Sequence, residues 1–199
     1  MSKISVFMAD GMEEVECLSI VDMARRAGIE VETVSIMGRA EVSSSHGVRI
    51  IADTTFEAAD FESSDVLFLP GGIPGANNLA AHEGLCALVK RFAAEGRRVA
   101  AICAAPGILG GLGLLDGRLA TCHPGWEDKL GGAEYTRQGV VTDGNITTGR
   151  GVGFAIDFGL ELVRLLKGEE FADDLRRRIQ VPRLLRWAPC STTSSAART

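Results

Sequence analysis

The hydrophobic positions of this chain fall into two kinds of run: short stretches that are apolar or alternating, and longer stretches with apolar residues every three or four positions. The first kind predicts strands and the second amphipathic helices. Ile4 to Ala9 reads as a strand closed by the turn pair Asp10-Gly11. Glu13 to Ala27 reads as a helix, with Val15, Leu18 and Met23 at helical intervals and Gly28 as its stop. Glu30 to Ile36 alternates, which completes a β-α-β unit. Two extended pieces, 42–44 and 48–51, flank Ser45-His46-Gly47 and predict a small hairpin. Asp65 to Leu69 is an apolar run of the kind buried on both faces, and it leads into Pro70-Gly71-Gly72-Ile73-Pro74-Gly75. A helix from His82 to Ala94, a strand from Arg98 to Ile102 and a helix from Pro106 to Leu112 follow. Leu119 to Cys122 predicts a short strand ending in His123-Pro124-Gly125, with a helical turn at Trp126 to Leu130. Gly139 to Thr142 and Ile146 to Thr148 pair through the turn Asp143-Gly144-Asn145, and helices from Phe154 to Leu166 and about Glu170 to Ile179 close the pattern.

Strands alternating with helices predict an α/β fold with a mostly parallel sheet and helices on both faces. Such folds place their sites at the carboxyl ends of strands, and that rule collects four loops: 10–16, Gly71 to Gly75, Cys103 and His123. With 199 residues, 46% of them hydrophobic, the chain can close one substantial core but is short for two. Residues 1–182 are therefore expected to form a single domain. The tail 183–199 loses periodicity and turns to Ser, Thr and Ala, so it is expected to be partly disordered. A net charge of -5, with no basic stripe before the C-terminus, argues against a nucleic-acid partner. No apolar run approaches the ~18 residues of a membrane span and no signal-peptide pattern precedes the first strand, so no membrane partner and a cytoplasmic location are expected. Five cysteines at irregular spacing and three histidines suggest neither a disulfide framework nor a metal site.

The most chemically loaded stretch is Val99 to Pro106, V-A-A-I-C-A-A-P, where a strand runs into a helix with a thiol at the junction. This has the form of a nucleophile elbow, and the helix N–H groups and dipole would favour the Cys103 thiolate. The competing reading makes Cys103 a small buried hydrophobe. Glu16 stands one turn into the first helix between Val15 and Cys17, where desolvation would keep its carboxyl protonated and able to donate a hydrogen bond to that sulfur. Its alternative is a helix-dipole carboxylate, like Glu13 and Glu14. His123 follows Cys103 by about twenty residues, within reach for a Cys/His arrangement, and Gly71 and Gly72 would supply oxyanion N–H groups. Gly149-x-Gly-x-Gly lies far from the first strand and has no acidic ribose partner, so it reads as letting a helix start close to the sheet rather than as a dinucleotide motif.

Four motifs in register, Met8-Ala9-Asp10-Gly11-Met12-Glu13-Glu14-Val15-Glu16, Leu69-Pro70-Gly71-Gly72-x-x-Gly75-Ala76-x-Asn78-Leu79, Ala100-Ala101-Ile102-Cys103-Ala104-Ala105-Pro106 and Thr121-Cys122-His123-Pro124, resemble the ThiJ/PfpI superfamily over about residues 1–182. They are closest in kind to the branch of parkinsonism-associated deglycases and bacterial ThiJ-like proteins. The resemblance implies a flavodoxin-like three-layer sandwich of the class I glutamine amidotransferase type, a homodimer, and no cofactor. It also implies a reactive, oxidisable cysteine at Cys103, its carboxylic acid partner at Glu16, a nearby histidine at His123, and anion donors at Gly71, Gly72 and Ala104. The implied activity is detoxification of small dicarbonyls or of glycated proteins, the glyoxalase or deglycase type. The alternatives are a redox-responsive chaperone or stress sensor and, third, a cysteine peptidase or amidase. Ala104 stands where the protease-like branch has His, which lowers the peptidase reading. His46 replaces an arginine that often neighbours the site, while Arg26 remains, so stabilisation of the cysteine loop across a dimer is expected to differ.

Overall fold

The computed structural model describes residues 2–182. Strands β1 (Lys3–Met8), β2 (Glu30–Ser35) and helix α1 (Glu14–Arg26) form the opening unit, with β3 (Glu41–Ser43), β4 (Arg49–Ile51) and β5 (Thr54–Thr55) after it. Then come β6 (Val66–Leu69), α2 (Gly75–Ala81), α3 (Glu83–Ala94), β7 (Arg98–Ile102) and α4 (Pro106–Gly111). The chain continues through β8 (Leu119–Ala120), a 3-10 turn at Glu127–Lys129, β9 (Glu134–Tyr135), β10 (Val140–Asp143) and β11 (Ile146–Gly149), and then α5 (Ala155–Lys167) and α6 (Glu169–Arg178). The main sheet has the order β10-β11-β7-β6-β1-β2-β5. All its pairings are parallel except the β10–β11 hairpin.

The period of two along each strand divides the core into two layers. Ile4, Val6, Met8, Val66, Phe68, Ala100 and Ile102 face α1, α5 and α6. Phe7, Leu67, Leu69, Val99 and Ala101 face α2, α3 and α4 on the other side. Burial on both faces is why β1, β6 and β7 read as nearly continuous apolar runs. The fold is the mostly parallel α/β arrangement expected from the residue pattern, in the three-layer, flavodoxin-like form that the resemblance implied.

One helix is added and two expectations change. The segment after Gly75, to which the sequence assigned no element, is a helix, α2. Its Asn-Asn centre carries little helical signal, and it is held instead by Leu79 in the core and by Asn78 Nδ2 donating to the Asp10 carbonyl at 2.8 Å. The strand expected at Leu119 to Cys122 is only two residues long and pairs with β9 in a separate sheet. The place beside β7 is taken by β11, and Thr121 N–H donates to the Thr148 hydroxyl at 3.0 Å instead of joining a ladder. His123 accordingly sits beyond this side sheet, not at the end of a main-sheet strand. The short β5 carried no signal of its own. The expectation for the tail falls on 183–199, outside the described residues.

Candidate active site

β1, β6 and β7 are neighbours at the centre of the sheet, so the loops at their carboxyl ends meet. The β1–α1 and β6–α2 loops press together backbone to backbone: Glu13 N–H donates to the Gly71 carbonyl and Gly75 N–H to the Gly11 carbonyl, both at 3.0 Å. Gly72 permits this closeness. Its φ is +84° and a Cβ there would lie 2.4 Å from the Glu13 nitrogen. The third loop begins at Cys103, whose φ of 64° is a left-handed conformation that a non-glycine residue holds only when its surroundings enforce it. Two hydrogen bonds do so here: Cys103 N–H donates to Gly149 and its carbonyl accepts from His123 N–H, each at 2.8 Å. The elbow expected from V-A-A-I-C-A-A-P is present.

Glu16 enters from the first turn of α1. That turn is capped by Glu13, whose carboxylate accepts from Glu16 N–H at 2.6 Å, and the helix lies flat enough on the sheet that the Glu16 side chain is fully buried. One carboxyl oxygen accepts from Gly71 N–H at 2.9 Å, and the other, Oε1, has no hydrogen-bond partner of good geometry. Gly71 is the wedge between carboxyl and thiol, since a Cβ on it would lie 2.5 Å from Cys103 Cβ and 2.7 Å from Glu16 Oε2. Only hydrogen fits there.

Burial is the main force on both groups. It pushes Glu16 up to about 7, against the opposing pull of the Cys103 thiol and the Gly71 N–H. It pushes the Cys103 thiol up to about 12, with the nearby Glu16 charge and hydrogen bond adding to it and the Gly72 and Ala104 N–H groups working against it. The thiol therefore moves opposite to the direction expected from its place before a helix. The donors are there, but desolvation and a facing carboxylate outweigh them. The two groups titrate as a pair. While Glu16 holds its proton, the charge that opposes thiolate is absent and the carboxyl becomes a donor to sulfur.

Of the six site residues named from the sequence, Cys103, Glu16, Gly71, Gly72 and Ala104 come together. Gly71 does not serve as an anion donor, because its N–H is taken by Glu16. Gly72 and Ala104 aim theirs at sulfur. His123 is tied to the elbow through its backbone N–H, but its ring makes no hydrogen bond to the Cys103 sulfur among the described residues; its Nδ1 lies 2.9 Å from the Pro124 carbonyl oxygen. Gly151 was missed. A Cβ on it would lie 3.7 Å from His123 Cδ2 and 4.0 Å from Cys103 Sγ, so this glycine leaves the space between ring and thiol open. Its neighbour Gly149 does what the glycine motif suggested, allowing Phe158 of α5 against the sheet.

The other three described cysteines differ from Cys103. Cys17 is fully buried with its pKa driven up by that burial, Cys122 is raised to about 11, mainly by burial, and Cys86, in α3, is also raised by burial and has its Sγ on the Ala80 carbonyl. None stands at an elbow. His46 and Arg26 are not in the cluster: His46 pairs with Glu14 at 3.0 Å and Arg26 with Asp22 at 2.7 Å. Glu13, Glu14 and His46 each bring one potential metal-ligand atom to within 4.8 Å of the others, although these atoms already serve as helix cap and ion pair.

Comparison with known proteins agrees with this architecture. Residues 2–165 match the model of the DJ-1/PfpI family. Protein DJ-1 homolog B of Arabidopsis thaliana is 37% identical over 85% of this chain, which spans only 39% of that relative's length. The glutathione-independent glyoxalase DJR-1.2 of Caenorhabditis elegans is 30% identical over 87% of this chain and 93% of its own. The structure of oxidized Toxoplasma gondii DJ-1 superposes with a TM-score of 0.87 at 34% identity, covering 90% of this chain and 98% of that one.

Proposed function

This chain belongs to the DJ-1/PfpI family, and on that premise we propose that it converts small 2-oxoaldehydes such as methylglyoxal or glyoxal to 2-hydroxy acids without a cofactor, using Cys103 as nucleophile and Glu16 as proton carrier. The observation that carries this reading is the pairing at the elbow: a buried carboxyl raised to about 7, coupled to a strained, half-buried thiol. A group poised near neutrality can both give and take a proton at the pH of the cell. Cys103 sulfur adds to the aldehyde carbon, and its proton ends on the new hydroxyl of a hemithioacetal. The Gly72 and Ala104 N–H groups stabilise the oxyanion that forms on the way. Ionised Glu16 then removes the proton from that carbon and returns it to the neighbouring ketone carbon through an enediol. The aldehyde carbon is thereby oxidised to a thioester and the ketone reduced to a hydroxyl. Water releases the 2-hydroxy acid and restores the thiol, so the net change is addition of one water. His123, at the rim, assists proton transfer to water. The glyoxalase name of the Caenorhabditis relative is consistent with this chemistry.

Lactate formation from methylglyoxal, in amine-free buffer without glutathione or metal, tests the proposal. Cys103→Ala and Glu16→Ala should each lower it by about 10²-fold or more, the usual worth of an acid–base or nucleophilic group. No lactate above background from the native chain would overturn it.

A second reading, redox sensing, is favoured by one feature: the same two N–H groups and the Glu16 carboxyl act on the Cys103 sulfur, and would hold the oxygens of a sulfinate formed there. Peroxide would then add two oxygens to Cys103 alone. A homodimer is part of the same proposal, supported by an exposed apolar face of Val15, Leu18 and Ile156 where α1 and α5 lie side by side.

A further inference from the structure

A groove of about 210 Å³ lies between α2, α4 and the Glu127–Lys129 turn, and Ala104, the residue after the reactive cysteine, is part of its lining. Its floor is small and apolar: Ala76 and Ala104 are almost fully buried, and Gly107 leaves room for the Lys129 stem, which a Cβ at 107 would meet at 3.0 Å. Trp126 forms one wall. Two exposed polar residues, Lys129 and Asn77, also line it, and neither side chain makes an ion pair or hydrogen bond among the described residues. Of the two acidic residues before Lys129, Glu127 accepts from Gly125 N–H at 2.8 Å, and Asp128 makes no ion pair with Lys129.

We infer that this groove is a tail-binding subsite, and that the preferred substrates are 2-oxoaldehydes whose far end carries a carboxylate. The inference rests on the dicarbonyl reading of Cys103 for the reacting end and on the groove alone for the tail. A volume of 210 Å³ holds roughly seven water-sized groups. That is ample room for a tail of two methylenes and a carboxylate, whereas methylglyoxal, ending in a methyl group, leaves the groove empty. The methylenes lie on the alanines and Trp126, and the carboxylate meets Lys129 and Asn77, a point charge and a hydrogen-bond donor that are otherwise without partners. An exposed cation gives modest affinity but clear selectivity between charged and neutral tails.

Two ratios test this with the full chain. The first is kcat/KM for 4,5-dioxopentanoate over kcat/KM for methylglyoxal. The second, independent of turnover, is the rate of Cys103 alkylation by 4-(iodoacetamido)butanoate over that by its uncharged amide, followed by peptide mass. The native chain should favour the carboxylate about fivefold in each at low salt, the size of one exposed ion pair. Lys129→Gln should bring both ratios to about one, and Lys129→Glu below one. Ratios unchanged by either substitution would overturn the subsite. If neither dicarbonyl is turned over, the dicarbonyl reading fails and the alkylation ratio alone decides the groove.

Discussion

Glu14 and Glu16 stand two residues apart in the first turn of α1 and have opposite fates. Glu14 turns to the β3–β4 loop, where its side chain is 14% exposed and pairs with the exposed His46. Burial works to raise its pKa, but its own backbone N–H and the hydrogen bond and charge of His46 outweigh that and hold it below the usual carboxylate value. Glu16 faces the sheet, where burial wins and its pKa rises to about 7. The helix dipole is common to both, so it cannot be what separates them. What separates them is the 100° step between successive helical residues, which points one carboxyl at an exposed histidine and the other at a glycine wedge and a thiol. A surface charge and a proton carrier are made from the same residue type by direction alone.

The comparison is sharpened most by removing the inward charge. Glu16 binds its proton in the fold up to about pH 7, but in the unfolded chain only to about 4.5. The native state therefore holds the extra proton between these values, and stability falls as pH rises from 4.5 to 7, then levels. The whole difference is about 3 kcal/mol. Glu16→Gln keeps an acceptor for the Gly71 N–H without the charge, so it should stabilise the fold by up to about that amount at pH 8 and by little at pH 4. Urea unfolding at the two pH values reads this. A native chain with no slope in that window would mean Glu16 ionises freely and does not differ from Glu14.

A smaller effect comes from widening the wedge. In Gly71→Ala the methyl would overlap both Cys103 Cβ and Glu16 Oε2, so thiol and carboxyl must part. Overpacking of this kind costs about 1–3 kcal/mol, and a displacement near 1 Å between reacting groups costs about 10²-fold in kcat/KM. Retained activity on methylglyoxal would show that the contact of the two groups is not what matters.

Strand positions, both helical layers and the elbow were legible because each depends on local pattern: period two, period 3.6, and an apolar run meeting Ala-Ala-Pro. Glu16 was legible only as one of two alternatives. Its neighbours Val15 and Cys17 suggest burial, yet Val15 is itself 49% exposed and Cys17 fully buried, and α1's docking angle decides which side Glu16 shares. What could not be read is whatever depends on a glycine's distant neighbours. Gly71 looked like an oxyanion donor and proved to be a spacer whose N–H serves Glu16, while Gly151 looked like a helix entry and proved to border the sulfur. His123 was placed at a strand end that exists only as a two-residue ladder, because β11 occupies the main-sheet position.

The smallest effect belongs to Glu14. His46 is raised above its ordinary value by its hydrogen bond to Glu14, then by that residue's charge. The pair's contribution is thus fully present below about pH 6.5 and is lost as pH rises through the raised value. In an isolated chain an exposed pair of this kind contributes little. Glu14, however, also lines the groove beside Val15, Leu18 and Ile156, so a second copy covering that face would bury the carboxylate and make its counter-charge count. Light scattering should give about twice the chain mass of 21.1 kDa at micromolar concentration. His46→Ala should weaken that dimer about two- to fivefold at pH 6, and leave it unchanged at pH 9, where the native imidazole is neutral as well. A monomer mass at every concentration would remove the dimer. A weakening that persists at pH 9 would instead assign the effect to lost contact area, and Glu14 would then be no more than the ion-paired counterpart of its buried neighbour.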